Sequence, residues 1–214
     1  MKYNKLIAAF ISIGFVTGIS QAALSIKTLN VVDFDSSTAA FVDNTGNVIA
    51  QNTGVVAVGS FVGLNDADIQ SLSNGAEISG AFNMAGSTNM NLGDGLWEAI
   101  INNPGDTSSL VGQAIFTVVG NGATIAVSDQ FFIYRHSSVN GTGDFVQDPN
   151  NNEDASVAHG ANSTGSILVG EFGNFQHDFS AGSFDAFNLV VVPEPSSTAL
   201  LGLGGLALLI RRRR

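Results

Sequence analysis

Along the middle of the chain, apolar residues come in short β-branched and aromatic runs broken by Gly, Asn, Asp and Ser. That pattern predicts strands near Leu24–Phe34, Val48–Ala50, Val55–Val62, Ala76–Phe82, Leu96–Ile101, Val111–Val119, Thr124–Tyr134, Ser166–Phe172 and Phe184–Val192. Glu77-Ile78-Ser79-Gly80-Ala81-Phe82 alternates in the manner of a half-buried strand. Asn121-Gly122, between Phe116–Val119 and Ile125–Val127, is a hairpin signal because Asn and Gly accept positive φ. Asn74-Gly75 marks a second turn. One short helix is predicted after Asn65, which can cap it, with Asp66 and Asp68 facing the positive end of its dipole. Leu64 would staple against Ile69, Leu72 would join Ile69 in the core, and Gly75 would end the segment. Short strands with turn signals every ~8–12 residues predict an all-β fold, an antiparallel β-sandwich or jelly-roll-like domain with one short helix. The phenylalanines from Phe34 to Phe187 suit its inner faces, and Trp97 and Tyr134 fall inside predicted strands, where a core role is expected.

The two ends break this pattern. Lys2 and Lys5 precede an apolar stretch from Leu6 to Ile19, and Ser20-Gln21-Ala22 places small residues where a signal peptidase reads. Residues 1–22 therefore read as a signal peptide with a signal helix, and the mature chain is expected to start at Ala23 or Leu24. At the other end stand Pro193-Glu194-Pro195, a Leu/Gly-rich segment, and Arg211, Arg212, Arg213 and Arg214. An apolar segment abutting arginines is a membrane stop, because Arg resists crossing the bilayer and stays cytoplasmic. Ala199 to Ile210 is uncharged. As a helix it would span about 18 Å at ~1.5 Å per residue, short of the roughly 20 apolar residues of a comfortable span. A transient transmembrane helix with a cytoplasmic C-terminus is the expectation. The two prolines hold the motif extended and outside any helix or sheet.

This tail, Val192 to Arg214, resembles the PEP-CTERM sorting domain, whose motif, apolar helix and Arg run stand here in the same order. The resemblance implies processing by exosortase, a membrane protease-transferase, with Pro193, Glu194 and Pro195 as the recognition motif. It also implies export to the cell envelope surface or the extracellular matrix of a biofilm. The tail circulates as well under the label "ice-binding protein C-terminal domain". That label describes a neighbour on some chains, and the threonines here are too scattered for a regular ice-binding ladder. The expected division is thus a signal peptide at 1–22, a β-sandwich domain at 23–191 and a sorting tail at 192–214. Signal peptidase and an exosortase-like enzyme are the expected partners.

Charge changes the picture of the body. The whole chain carries −10, yet between Leu24 and Val191 Lys27 and Arg135 are the only strong cations against 17 carboxylates, a net −15. Such a surface repels phosphate backbones and anionic membranes, which argues against nucleic-acid binding. The chain has no cysteine, so its stability rests on the core alone and thiol chemistry is excluded.

Candidate chemistry is sparse. His136, His159 and His177 match no zinc spacing and sit beside polar residues, which predicts surface or loop histidines. No nucleophile elbow, phosphate-binding glycine loop or His-Glu-x-x-His helix occurs, and no enzyme is expected. Asp148, Asn150, Asn152 and Asp154 lie in one polar segment at alternate positions, like the first half of a calcium loop. Glu153 stands where that loop needs Gly, and His159 where it needs an acid. These four residues are the calcium candidates; a solvated loop is the competing reading. No other cofactor is expected. Exosortase systems accompany exopolysaccharide production, so the resemblance also allows an extracellular polysaccharide as ligand. Two readings stand, a non-catalytic surface or matrix protein and a carbohydrate- or calcium-binding module. Asn140-Gly141-Thr142 and Asn162-Ser163-Thr164 are compatible with glycosylation of either.

Overall fold

A computed structural model describes residues 24–30, 39–103, 109–137, 143–145, 153–157, 165–179 and 182–192. The segments expected to form a signal helix and a C-terminal transmembrane helix lie outside these residues. Among the described residues no helix is long and apolar enough to cross a membrane. In chain order the first elements are β1 (Leu24–Leu29), β2 (Ala40–Val42), β3 (Val55–Ser60), α1 (Asp66–Gln70), α2 (Gly75–Ala81), β4 (Asn83–Thr88) and β5 (Glu98–Asn103). Then come β6 (Phe116–Gly120), a 3-10 turn at Ile125–Val127, β7 (Gln130–His136), β8 (Glu153–Ser156) and β9 (Gly165–Val169). The last three are β10 (Glu171–Phe179), β11 (Gly182–Asn188) and β12 (Val190–Val191).

The protein is mostly β. The largest sheet runs β12-β7-β6-β3-β4, with β9 also on β7, and every pair in it is antiparallel. Two smaller sheets, β5-β1-β8 and β10-β11-β2, each contain one antiparallel and one parallel pair. The large sheet is the centre of the molecule because its middle strands are apolar on both faces. All of Val55–Ser60 and all of Phe116–Gly120 are buried. Along β7, Phe131 and Ile133 face one side and Phe132 and Tyr134 the other, as a period of two requires.

Each face has its own cover. One packs Phe132, Tyr134, Val119 and Val56 against Phe41 and Phe187 of the β10-β11-β2 sheet and against Trp97. Ring centroids of Phe41 lie 4.9 to 5.0 Å from those of Trp97, Phe132 and Phe187, within the range of favourable aromatic pairs. The opposite face packs Phe131, Ile133, Val118 and Phe116 against Ile69 of α1, Ile78 of α2 and Ile125 of the 3-10 turn. A third cluster, with Ile26, Ile101, Ile115 and Phe145, joins the β5-β1-β8 sheet to Val58 and Ala85. Trp97 and Tyr134 are fully in the core, as their strand positions predict.

Helix α1 forms as its sequence predicts. Asn65 Oδ1 accepts the Asp68 amide at 3.0 Å while Asp68 accepts the Asn65 amide at 3.0 Å, a reciprocal capping box. Ile69 is buried, with Leu64 and Leu72 packed beside it. The segment predicted as a strand at Ala76–Phe82 is instead a second helix, α2. Asn74 caps it through the Glu77 amide, and Glu77 in turn accepts from the Ser73 amide and hydroxyl at 2.8 and 2.9 Å. Those bonds, the backbone one first, hold the exposed Glu77 carboxyl below its ordinary pKa. Ile78 and Phe82, four apart, are both buried, so the segment satisfies a helical stripe as well as strand alternation. Gly75, expected to end α1, opens α2 instead. A Cβ there would come within 2.7 Å of the Ser128 carbonyl, so only glycine lets α2 settle on the 3-10 turn.

Further corrections follow the same logic. Asn121-Gly122 is no two-residue hairpin, although β6 and β7 do pair antiparallel. Asn121 Oδ1 accepts the amides of Asp129 and Gln130, both at 3.2 Å. The Ser128 hydroxyl accepts the Gly122 amide and donates to the Thr124 carbonyl. These side chains stabilise a longer connector that drops Ile125 into the core. Val48–Ala50 contributes only a bridge from Val48 to Val42, and the strand lies earlier, at β2. β4 and β8 carry little apolar signal and are formed by pairing with β3 and β1.

Candidate functional site

The part of the body closest in sequence to the tail comprises the last described segments, Gly165–Phe179 and Gly182–Val192. Two strand exchanges occur there side by side. Gly170, at φ +91°, lets the chain pass from β9, paired with β7, to β10, paired with β11. A Cβ at Gly170 would meet the Asn188 carbonyl at 2.7 Å, so the two crossing points touch at the backbone. At Leu189 the chain returns from β11 to the large sheet. Leu189 is fully buried and its amide donates to the Val42 carbonyl at 2.9 Å. β12 then pairs Val190 with Phe131 and Val191 with Gln130. Val192 is buried in the helix-side cluster, while Val191 between them is exposed.

A cleft of about 550 Å³ opens at this exit, lined by Gln70, Leu72, Leu168, Glu171, Val190 and Val192 among others. Gln70 Nε2 donates to the Leu168 carbonyl at 3.1 Å and fixes α1 against β9 at its rim. Asn188 Nδ2 donates to Glu171 Oε1 at 3.1 Å across the crossing. Among the described residues no cation lines this cleft. The two cations of the body are engaged elsewhere: Arg135 Nη1 reaches both carboxylate oxygens of Asp66, at 2.9 and 3.0 Å, and Lys27 lies 3.7 Å from Glu98. These exposed pairs contribute little stability, but they leave the acidic surface without a free positive partner among the described residues.

The other residues singled out in the sequence scatter. Pro193, Glu194, Pro195 and Arg211 to Arg214 lie outside the described residues, as do Asp148, Asn150, Asn152, His159 and both sequons. Asp154 lies in strand β8, with Lys27 as its parallel register partner, so the polar segment read as one loop ends in a strand. His177 belongs to β10. Among the described residues no group of three or more His, Cys, Asp or Glu could hold a metal ion. Asp43 holds a turn: its carboxylate accepts from Thr45 and Asn47. Burial acts to raise its pKa, and those hydrogen bonds outweigh it and lower the pKa.

His136 is where the sequence reading fails most clearly. It is a core residue, 1% exposed. Its Nε2 shares a hydrogen bond of 2.9 Å with Thr117 Oγ1, its ring lies edge-on to Tyr134 at 5.0 Å, and Nδ1 has no hydrogen-bond partner among the described residues. Burial alone drives its pKa down to about 3, so it is neutral at pH 7. The missed signal was phase: His136 continues the face of Phe132 and Tyr134 along β7.

The chain matches no curated protein and no solved structure. A family model, the PEP-CTERM protein-sorting motif, matches residues 191–214. Its first residues, Val191 and Val192, are thus the last of the described residues. That match, beginning inside β12 and running through Pro193-Glu194-Pro195 to the arginines, identifies the chain as the carrier of a PEP-CTERM protein-sorting motif, the segment that exosortase-type enzymes process.

Proposed function

We propose that the chain is an exported, non-catalytic protein of the cell envelope surface or extracellular matrix, sorted by an exosortase-type system. The observation that carries this reading is the sorting motif at 191–214, which joins the β body without a linker. The basic and apolar N-terminal stretch supplies the export signal, and the Arg run holds the precursor in the inner membrane with its C-terminus in the cytoplasm. What is delivered is the body, strongly acidic and free of cysteine, a composition suited to staying soluble among anionic polymers. Removal of the tail strips four of the chain's eight Lys and Arg residues and leaves the acidic character undiluted.

Cell fractionation with intact-mass measurement tests this. The wild-type body should be found at the surface or in the medium, with a mass lacking Arg211–Arg214. A Pro193→Ala/Glu194→Ala/Pro195→Ala variant should stay in the membrane fraction with its tail. Should both proteins keep the tail and the same location, the sorting reading is wrong.

A further inference from the structure

We propose that a cleft at one end of the large sheet binds a neutral saccharide, one or two sugar rings of a longer glycan, through uncharged hydrogen-bonding side chains. The cleft encloses about 440 Å³, within the range of small-molecule sites. It lies where β3 begins, β4 ends and the connector after β6 starts. Asn52, Thr53, Ser87, Thr88, Asn89 and Asn121 supply its polar lining, and among the described residues no carboxylate, ammonium or guanidinium lines it. On so acidic a body, a polar cleft without a charge sets one kind of ligand apart from the rest.

The backbone of the wall is fixed. Asn52 is the one non-glycine residue with a positive φ, +62°, among the described residues, a conformation that asparagine tolerates. Its amide donates to the Met90 carbonyl at 2.8 Å, and the Met90 amide donates to the Thr53 carbonyl at 3.3 Å. Those bonds tie the turn at 52–54 to the chain that leaves β4. Gly54, at φ +67°, lies so near the Gly120 carbonyl that a Cβ would come within 3.1 Å of it. Across the cleft, Asn121 uses its side chain on Asp129 and Gln130 and holds the connector. Four side chains remain unused. Asn52, Ser87, Thr88 and Asn89 make no side-chain hydrogen bond among the described residues, and they bring two carboxamides and two hydroxyls to one cleft.

Chemistry narrows the ligand by elimination. A phosphate, a sulfate or a uronate would meet no cation here and would approach against the field of the acidic body. A metal ion or an ammonium group would find no carboxylate in the lining. An apolar ligand would strip water from carboxamides and hydroxyls without replacing their hydrogen bonds. A neutral sugar replaces them. Its hydroxyls donate and accept, as do Asn, Ser and Thr, and one carboxamide can serve two adjacent hydroxyls with its N–H and its carbonyl. The lining offers no aromatic face for a ring to stack on, so affinity is expected to be weak, with a Kd of about 1 mM. A site that weak suits a polymer presenting the same ring many times. The cleft belongs to the body, so its ligand is independent of how the chain is sorted.

Amide NMR of the isotopically labelled full chain in a sugar-free detergent tests the assignment. Maltotriose, cellotriose and mannotriose are titrated as neutral probes and trigalacturonate as the anionic one. At least one neutral trisaccharide should shift the amides of Asn52, Thr53, Ser87, Thr88, Asn89 and Asn121 saturably, while trigalacturonate leaves them in place. Asn52→Gly with Asn89→Ala removes both carboxamides, and glycine keeps the left-handed backbone at 52. Neither side chain is bonded to the fold, so this variant should melt with the wild type and bind about tenfold more weakly. Ser87→Ala, in β4, should give a second and smaller loss of affinity without touching the turn. Four results would overturn the proposal: no response to any of the three neutral sugars, shifts confined to other parts of the body, an equal or stronger response to trigalacturonate, or undiminished binding by the double variant. All of these are read on purified protein, so none of them bears on the sorting reading.

Discussion

Two buried polar side chains of the same core, Asn30 and His136, are satisfied to different degrees, and the contrast shows where this fold is strong. Asn30 is 0% exposed and uses its whole amide. Its Nδ2 donates to the carbonyls of Ala39 at 3.0 Å and Gly95 at 2.8 Å, while its Oδ1 accepts the Trp97 amide at 2.8 Å. The Trp97 ring nitrogen is held by Thr28 Oγ1 at 3.1 Å. His136 is equally buried, yet among the described residues only one of its two ring nitrogens is bonded. A buried polar group with all its partners specifies a structure, and one with half of them is a weak point. Neither group offers chemistry to a ligand, because neither reaches the surface.

Removing Asn30 should give the largest effect. Asn30→Ala takes the Asn30 partner from the Ala39 carbonyl and the Trp97 amide and leaves the Gly95 carbonyl with the Phe41 amide alone, and urea unfolding should show a loss of about 4 kcal/mol with a red-shifted Trp97 emission. An emission maximum unchanged from wild type would mean that the network does not hold the indole in the core.

Acid should expose the weakness of His136. Its pKa is about 3 in the folded protein against 6.5 for the free side chain. As pH falls below 6.5 the unfolded chain binds a proton that the folded chain refuses, so stability declines through the window from 6.5 to about 3. Between pH 7 and pH 4 the wild type should lose about 3 kcal/mol more than His136→Gln, as read from paired denaturant titrations. The paired comparison is needed because Asp43 and Glu77, with lowered pKa values, also lose stabilising charge as pH falls below their ordinary range. Parallel pH profiles for the two proteins would remove His136 as the acid-sensitive group.

Thr117→Val keeps the shape and strips the one hydrogen-bond partner that the His136 ring has among the described residues. A loss of about 1–2 kcal/mol at pH 7 is expected in thermal or urea unfolding, and no loss would mean the shared bond is energetically idle. Asn65→Ala supplies the exposed yardstick. Breaking the α1 cap should cost about 1 kcal/mol, less than Asn30→Ala, because water can take over the freed amides. A cost as large as that of Asn30→Ala would erase the distinction between buried and exposed polar contacts drawn above.

Legibility in the sequence followed the kind of information each element needs. The start of α1 was readable because its cap, dipole partners and staple all lie within a few residues, whereas its end falls at Ser71 and not at the expected Gly75. β3 was readable from its dense β-branched run, while β6 and β7 were readable in part: β6 begins at Phe116 and not Val111, and Ile125–Val127 of the strand expected from Thr124 forms a 3-10 turn before β7 begins at Gln130. α2 was misread because Ile78 and Phe82 fit both periods, and the choice was made by Asn74, Glu77 and the bare backbone of Gly75 against Ser128. β8 was unreadable because Glu153-Asp154-Ala155-Ser156 has no strand propensity of its own and exists by pairing with β1. The sorting motif was legible as a string of residues, whereas the anchored exit that precedes it was not. Leu189 to Val192 reads as the continuation of one strand, and only the Leu189 bond to Val42 and the β12 pairing reveal a change of sheet.

By itself the sequence determined what is local and cumulative: an acidic, cysteine-free, β-rich body and a sorting segment, since charge, composition and short motifs need no partner distant in the chain. Tertiary structure alone decided which strands meet, that Asn30 is satisfied while the His136 ring is bonded at one nitrogen, and that Leu189 to Val192 change sheets. Those outcomes depend on contacts between residues far apart in sequence, such as Leu189 with Val42 and Val191 with Gln130, and long-range pairing leaves no mark on either partner alone.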